Sequence, residues 1–192
     1  MTYGIVIDAH LIQSIRESLV SESGSLFDLI SWITSNCGIA ISELIETHWK
    51  QHCTHNDLFF WEWYAQQILT QKIRIYKPTR ISGRIFMNIR VNYKLPNDIF
   101  VRAYLDCANN TIKPRYILTE DMYFYEPSAK SMTPSRQIQI RTSRSGSLCR
   151  HLENTLKIRV GTESDFCRHF GIESSCHFQV AIGCIENCVK SP

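Results

Sequence analysis

The chain has 192 residues, 44% apolar and 20% charged, enough for one domain with a sizeable core and no need of disulfide support. It carries no low-complexity tract, no evident repeat and no apolar run long enough to cross a bilayer, which predicts a protein without a membrane partner. A net charge of +3, eight cysteines spread through the whole length, and an N-terminus that lacks a basic segment and meets Asp8 early together predict free thiols in a cytoplasmic protein, not a secreted disulfide scaffold.

In chain order, Tyr3–Asp8 predicts a short buried strand, apolar throughout and rich in β-branched residues. His10–Val20 and Leu26–Ser35 predict helices. In the second, Leu26, Leu29, Ile30 and Ile33 recur at helical spacing behind Ser25, an expected N-cap. Gly38–Ser42 predicts a second strand, with Ser42 capping a helix that runs to about Gln51. Asp57–Gln71 predicts a helix carrying Phe59, Phe60, Trp61, Trp63 and Tyr64, an aromatic group best read as core. Ile73–Tyr76 alternates apolar and basic residues, and Thr79–Val91 predicts a basic helix. Asp98–Asn109 predicts a helix, and Arg115–Thr119 a third strand. Residues 126–147, rich in Pro, Ser, Thr and Arg, predict a long loop with a strand at Ile138–Ile140. Leu148–Thr155 predicts a helix, Leu156–Val160 a fourth strand and Glu163–Phe170 a short closing helix. Strands alternating with helices imply an α/β fold whose parallel sheet is covered on both faces.

Three aspartates stand out against this pattern. Asp8 and Asp121 follow β-prone runs, and an acid at the C-terminal end of a parallel strand faces the crevice where open α/β sheets bind ligands. Asp98 precedes a helix. Together the three supply the oxygen donors of a divalent-cation site. Each also has a plain structural use: Asp8 as a strand-end cap, Asp98 as an N-cap and Asp121 as a turn residue.

Charge is distributed unevenly. Residues 1–62 hold two Lys/Arg against eight Asp/Glu, a balance of −6, and residues 63–150 hold fifteen against five, or +10. Trp63–Asn97 has seven basic residues and no acid, and Pro127–Arg150 has five and no acid. Two basic stretches on either side of the Asp98–Asp121 segment form an electrostatic footprint suited to a phosphate backbone, with a solvated face as the plainer alternative. Arg80 and Arg84, one helical turn apart in the predicted basic helix, are candidates to track such a backbone.

Ile5-Val-Ile-Asp8, Ile39-Ala-Ile-Ser42 opening a helix, Asp98 ahead of a helix containing Ala103, Ile117-Leu-Thr-Glu-Asp121-Met-Tyr-Phe124, and Ile158-Arg-Val-Gly-Thr162 with Asp165-Phe166 follow one another in fixed order. The chain in this respect resembles the PIN-domain nucleases, over about residues 3 to 170. The resemblance implies a PIN-like domain over 1–170 and a C-terminal extension over 171–192. It implies a three-layer α/β/α sandwich with a central, mostly parallel sheet. It also implies Mg²⁺- or Mn²⁺-dependent endoribonuclease activity on RNA, usually single-stranded. Asp8, Asp98 and Asp121 match the family's catalytic, metal-holding aspartates, and Thr119 matches its supporting hydroxyl residue. By analogy with the family, the partners to expect are RNA, a second copy in a homodimer, and an antitoxin or other protein.

One position departs from the family pattern. Where members place a glutamate on the helix after the second strand, this chain has His48, ahead of Trp49. Glu46 lies two positions earlier, more than half a turn away at ~100° per residue. Either His48 or Glu46 completes the metal shell, or the site is degenerate and the domain binds RNA or a protein without cutting. Imidazole suits Mn²⁺ better than Mg²⁺. A flavodoxin-like regulatory domain would also put acids at strand ends but leaves the basic stretches unexplained. Two further groups have metal-ligand residue types, His48-xxx-His52-Cys53-x-His55 and Cys176-His177 with Cys184 and Cys188. The plainer readings are a polar helix face and small buried residues.

Overall fold

A computed structural model of the chain describes residues 4–21, 25–53, 57–113 and 115–172. Five parallel strands, β1 (Ile5–Ile7), β2 (Ile39–Ile41), β3 (Ile73–Ile75), β4 (Arg115–Leu118) and β5 (Ile158–Gly161), form one sheet in the order β3-β2-β1-β4-β5. The register pairs Ile5 with both Ile39 and Tyr116, Ile39 with Ile73, and Ile117 with Val160. All residues of β1 and β2 are buried, as expected of central strands covered on both faces. On the edge strand β3 only Ile73 is buried, and the exposed Arg74 discourages further strand pairing. The apolar–basic alternation at Ile73–Tyr76 is therefore a fifth strand, half-buried because it closes the sheet.

The helices are α1 (Ala9–Ser21), α2 (Ser25–Asn36), α3 (Glu43–His52), α4 (Leu58–Leu69), α5 (Gly83–Tyr93), α6 (Ile99–Asn110), α7 (Pro134–Ser143), α8 (Ser147–His151) and α9 (Glu163–Phe170). α1 packs on α2, α3 and α4, while α6 lies against β1, β2, β4 and α3. The arrangement is that of an α/β protein with an all-parallel sheet and is compatible with three layers. α2 stops because the chain turns into left-handed backbone at Gly38 (φ 68°), whose N–H returns to the Ile33 carbonyl. Ser42 caps α3 as expected, its hydroxyl accepting the Ile45 N–H at 3.3 Å.

Several boundaries differ from expectation for identifiable reasons. Residues 126–147 are not a long loop and contain no strand. Met122–Phe124 and Pro127–Ser131 form 3₁₀ turns, and α7 places Pro134 in its first turn, where proline's missing N–H costs nothing. Ile138, expected in a strand, is exposed on that helix, and Ile140 is its one buried residue. α5 begins at Gly83 behind a Ser82 cap, so Arg80 precedes the helix and does not sit one turn from Arg84. β5 begins at Ile158, because a π turn over Leu152–Leu156 ends in left-handed Lys157 (φ 58°). Of the aromatic group on α4, Phe60 and Tyr64 are buried, with Trp61 and Trp63 partly so, but Phe59 is 64% exposed. Cys37, Cys53, Cys107 and Cys149 are buried thiols, in line with the expectation of free cysteines. Ser25's expected cap, His55 and the Cys176, His177, Cys184 and Cys188 group lie outside the residues whose side chains are described. No helix among the described residues is long and apolar enough to cross a membrane.

Candidate metal centre

In the strand order β3-β2-β1-β4-β5, the connections run from β1 toward one edge and then cross to the other side at β4. The C-terminal ends of β1 and β4 therefore flank a topological switch point, the place where open α/β sheets form a crevice. Asp8 follows β1 there. Its N–H extends the ladder to the Leu118 carbonyl at 3.0 Å, and its carbonyl accepts the Leu11 N–H as α1 begins. Trp49 and Tyr104 hold this turn from the helical side. The Trp49 indole N–H donates to the Ile7 carbonyl at 3.1 Å, and the Tyr104 hydroxyl accepts the Ala9 N–H at 2.9 Å. Both rings are about 1% exposed, so the backbone around Asp8 is packed in place.

Asp8 is itself 1% exposed. Thr119, just past β4, donates its hydroxyl to Asp8 Oδ2, and the His10 N–H reaches Asp8 Oδ1 at 3.4 Å. Burial pushes the Asp8 carboxyl above the usual carboxylate range and the Asp121 charge pushes the same way, against the Thr119 hydrogen bond and the His10 charge. Thr119 also accepts the Asp121 N–H at 2.9 Å, which fixes the turn carrying the second acid. Asp121 Oδ1 accepts the Tyr123 N–H at 3.0 Å and lies 3.3 Å from the Lys130 ammonium, which also rests 3.5 Å from the centre of the Tyr123 ring.

Among the described residues one group of His, Cys, Asp or Glu side chains brings its ligand atoms within 4.8 Å of one another, and it is Asp8, His10 and Asp121. The structure thus joins two of the three expected aspartates and adds His10. Sequence reasoning passed over His10 as an ordinary residue at the start of a helix. Its position two residues after a strand-end acid was the available signal.

Asp98 is half-buried at the N-terminus of α6, where Oδ1 accepts the Phe100 and Val101 N–H groups at 2.7 and 3.3 Å. It lies outside the close group. Asp98 is near enough, however, for its charge and that of Asp121 to act on His48. All three aspartates make, through Oδ1, the capping bonds that a purely structural role requires.

His48 and Glu46 separate clearly. Glu46 accepts the Tyr64 hydroxyl at 3.1 Å and pairs with Lys50 at 3.0 Å, so its carboxylate is committed toward α4 and the exposed side of α3. His48 faces the crevice. It stacks on Phe100 with ring centres 4.1 Å apart and only 7° between planes, and its Nδ1 is 3.1 Å from the Tyr104 hydroxyl. Burial first, and then the neighbouring His52 and His10, pull its pKa down to about 4, leaving a neutral imidazole at neutral pH. Arg80 and Arg84 are exposed, and the basic residue that reaches the acids is Lys130.

This donor set suits a divalent cation. Two carboxylates and an imidazole meet in one crevice, one acid is buried with a raised pKa, and a cation between them would relieve both desolvation and mutual repulsion. A scan against protein-family models gave no match to the chain, and comparisons with curated proteins and with solved structures gave no significant match either.

Proposed function

We propose that the protein is a metal-dependent ribonuclease of the PIN-like type, a three-layer α/β/α domain that hydrolyses phosphodiester bonds of single-stranded RNA with Mg²⁺ or Mn²⁺. The observation that carries this reading is the convergence of Asp8, His10 and Asp121 at the switch point between β1 and β4. Asp8 and Asp121 would hold the ion, with His10 beside them and Asp98 completing the shell from the start of α6. When bound, such an ion supplies Lewis-acid charge for the phosphoryl oxygens and a nucleophile at neutral pH. Thr119 positions Asp8 and the Asp121 backbone at once, so the two acids are held in register by a single side chain. Lys130 would meet a backbone phosphate as the RNA enters, in exchange for its present pairing with Asp121. The basic runs 63–97 and 127–150 provide the wider attraction for RNA.

A second reading has a specific observation behind it. The Lys130 ammonium already neutralises Asp121, and a histidine stands in the family's glutamate slot, as in a PIN-like module that binds RNA or a protein partner without cutting. Cleavage of a labelled single-stranded RNA with Mn²⁺ separates the two. The nuclease reading expects cleavage by the wild-type chain and none by Asp8→Asn or Asp121→Asn with circular dichroism unchanged. RNA binding without Mn²⁺-dependent cleavage would favour the second.

A further inference from the structure

Beside the acids lies a second cluster of metal-ligating side chains, in which His48 and His52 are left unused by the ribonuclease reading and His10 is shared with Asp8 and Asp121. His10 at the start of α1 and His48 and His52 on consecutive turns of α3 bring three imidazoles together, with ring centres 6.0 Å (His10–His48), 5.0 Å (His10–His52) and 5.2 Å (His48–His52) apart. Three imidazoles bound tetrahedrally to one ion, with metal–nitrogen bonds near 2.0–2.1 Å, place their ring centres about 5 Å apart. The i, i+4 spacing on α3 accounts for one of these separations, and the packing of α1 against α3 sets the other two.

The geometry points to a nitrogen-rich binding position for a divalent transition-metal ion of the Zn²⁺ class, formed by His10, His48 and His52 on the α1–α3 face of the crevice. His48 is oriented in the way metal-bound histidines are. Phe100 fixes its ring plane and Tyr104 engages Nδ1, so Nε2 is the nitrogen left for an ion. The nitrogens of the three rings are not gathered within 4.8 Å as they stand, but His10 is exposed and His52 half-buried, and rotation about their soft terminal torsions turns a nitrogen toward a common point while the ring centres stay in place. A strict oxygen-ligand cation such as Mg²⁺ would avoid this position, whereas imidazole suits Zn²⁺. The position goes beyond the ribonuclease reading: it shares His10 with the Asp8, His10 and Asp121 group, but His48 and His52 lie outside that group, so substitution of His52 tests it separately.

The test is zinc K-edge X-ray absorption on the full chain, freed of metal and loaded with Zn²⁺ alone, together with calorimetric titration of Zn²⁺ and Mn²⁺. The wild-type protein and Asp121→Asn should both show a nitrogen shell with the outer scattering of three imidazoles. His52→Gln should lower Zn²⁺ affinity by more than about 100-fold, above the 10–100-fold that losing an outer partner costs, and leave Mn²⁺ binding unchanged. A wild-type zinc spectrum without imidazole scattering, or Zn²⁺ affinity in a folded His52→Gln equal to wild type, overturns the proposal. Loss of Mn²⁺ binding in Asp8→Asn, or its persistence, bears only on the acidic centre, so the two sites are tested apart.

Discussion

Thr119 and Asp8, 111 positions apart in sequence, are joined by a hydrogen bond in which the threonine hydroxyl donates to Asp8 Oδ2 across the boundary between β4 and β1. The same hydroxyl accepts the Asp121 N–H. One small side chain at a strand end therefore couples two acids that β-sheet pairing alone would leave at independent angles. Replacement by valine keeps the volume and the β preference and removes the donor.

Thr119→Val should accordingly weaken Mn²⁺ binding by roughly 10–100-fold, the range for loss of a ligand's supporting partner. It should also cost about 1–3 kcal/mol of stability, because the buried Asp8 oxygen loses its donor. Thr119→Ser should retain most of both. Calorimetric titration and urea denaturation measure the two effects, and wild-type Mn²⁺ affinity in the valine variant would contradict the coupling.

Asp8 gives the metal-free protein a distinctive pH dependence. Its pKa is raised in the folded state above the ordinary carboxyl value of 3.8, chiefly by burial. A carboxyl that holds its proton more tightly when folded favours the fold at low pH, and that contribution is lost as pH climbs past 3.8 and through the raised folded value. With chelator present, Asp8→Asn should thus be more stable than wild type at pH about 8 and equal or less stable at pH about 4. Added Mn²⁺ should stabilise the wild type at neutral pH and leave the variant unmoved. Urea denaturation across pH, with and without Mn²⁺, checks both signs.

His48 acts on the acid side in the opposite sense. Its pKa falls from 6.5 to about 4, first because of burial. Stability from the neutral ring is fully present above the unfolded value of 6.5 and drains away as pH drops through it toward about 4. His48→Phe retains a ring to stack on Phe100 and removes the titration, so its melting temperature should fall less steeply than wild type between those two values. Parallel slopes would show that the ring does not titrate in this way.

How far the site was legible in the sequence differs from residue to residue. Strand-end position pointed to Asp8 and Asp121 because β1 and, past Arg115, β4 are buried and read as apolar runs. Ser42 and Asp98 were legible as caps, since capping is local chemistry. His10 carried only the faint signal of its place two residues after a strand-end acid, because its convergence with Asp121 depends on the pairing of β1 with β4, a contact between segments more than a hundred residues apart. The same holds for the three histidines, two of which share a helix while the third arrives through the packing of α1 on α3. The mistaken loop over 126–147 arose from composition: serines, threonines and two prolines signal turns, yet Pro134 in a first helical turn is a helix start. Edge strand β3 was understated because three residues, two of them exposed, carry little periodic signal.

Gly161 at the end of β5 marks a close approach that no other residue can satisfy. A Cβ there would collide with the Tyr116 hydroxyl and Asp165 Oδ2, which are hydrogen-bonded to each other at 2.7 Å, while Arg159 holds Asp165 at 3.1 Å. Gly161→Ala should destabilise the fold by about 1–3 kcal/mol through overpacking of this buried group. Metal affinity should fall less than in Thr119→Val, because Gly161 reaches the β1–β4 crevice only through its backbone carbonyl, which accepts the Thr119 N–H at 3.1 Å. Urea denaturation and Mn²⁺ titration of the same sample separate the two effects.

The most direct measurement is anomalous diffraction from crystals soaked in Mn²⁺. The proposed ribonuclease centre predicts an anomalous peak within roughly 2.5 Å of carboxylate oxygens from both Asp8 and Asp121. Full soaking with no peak at these acids, and Lys130 still paired to Asp121, would contradict a catalytic metal centre.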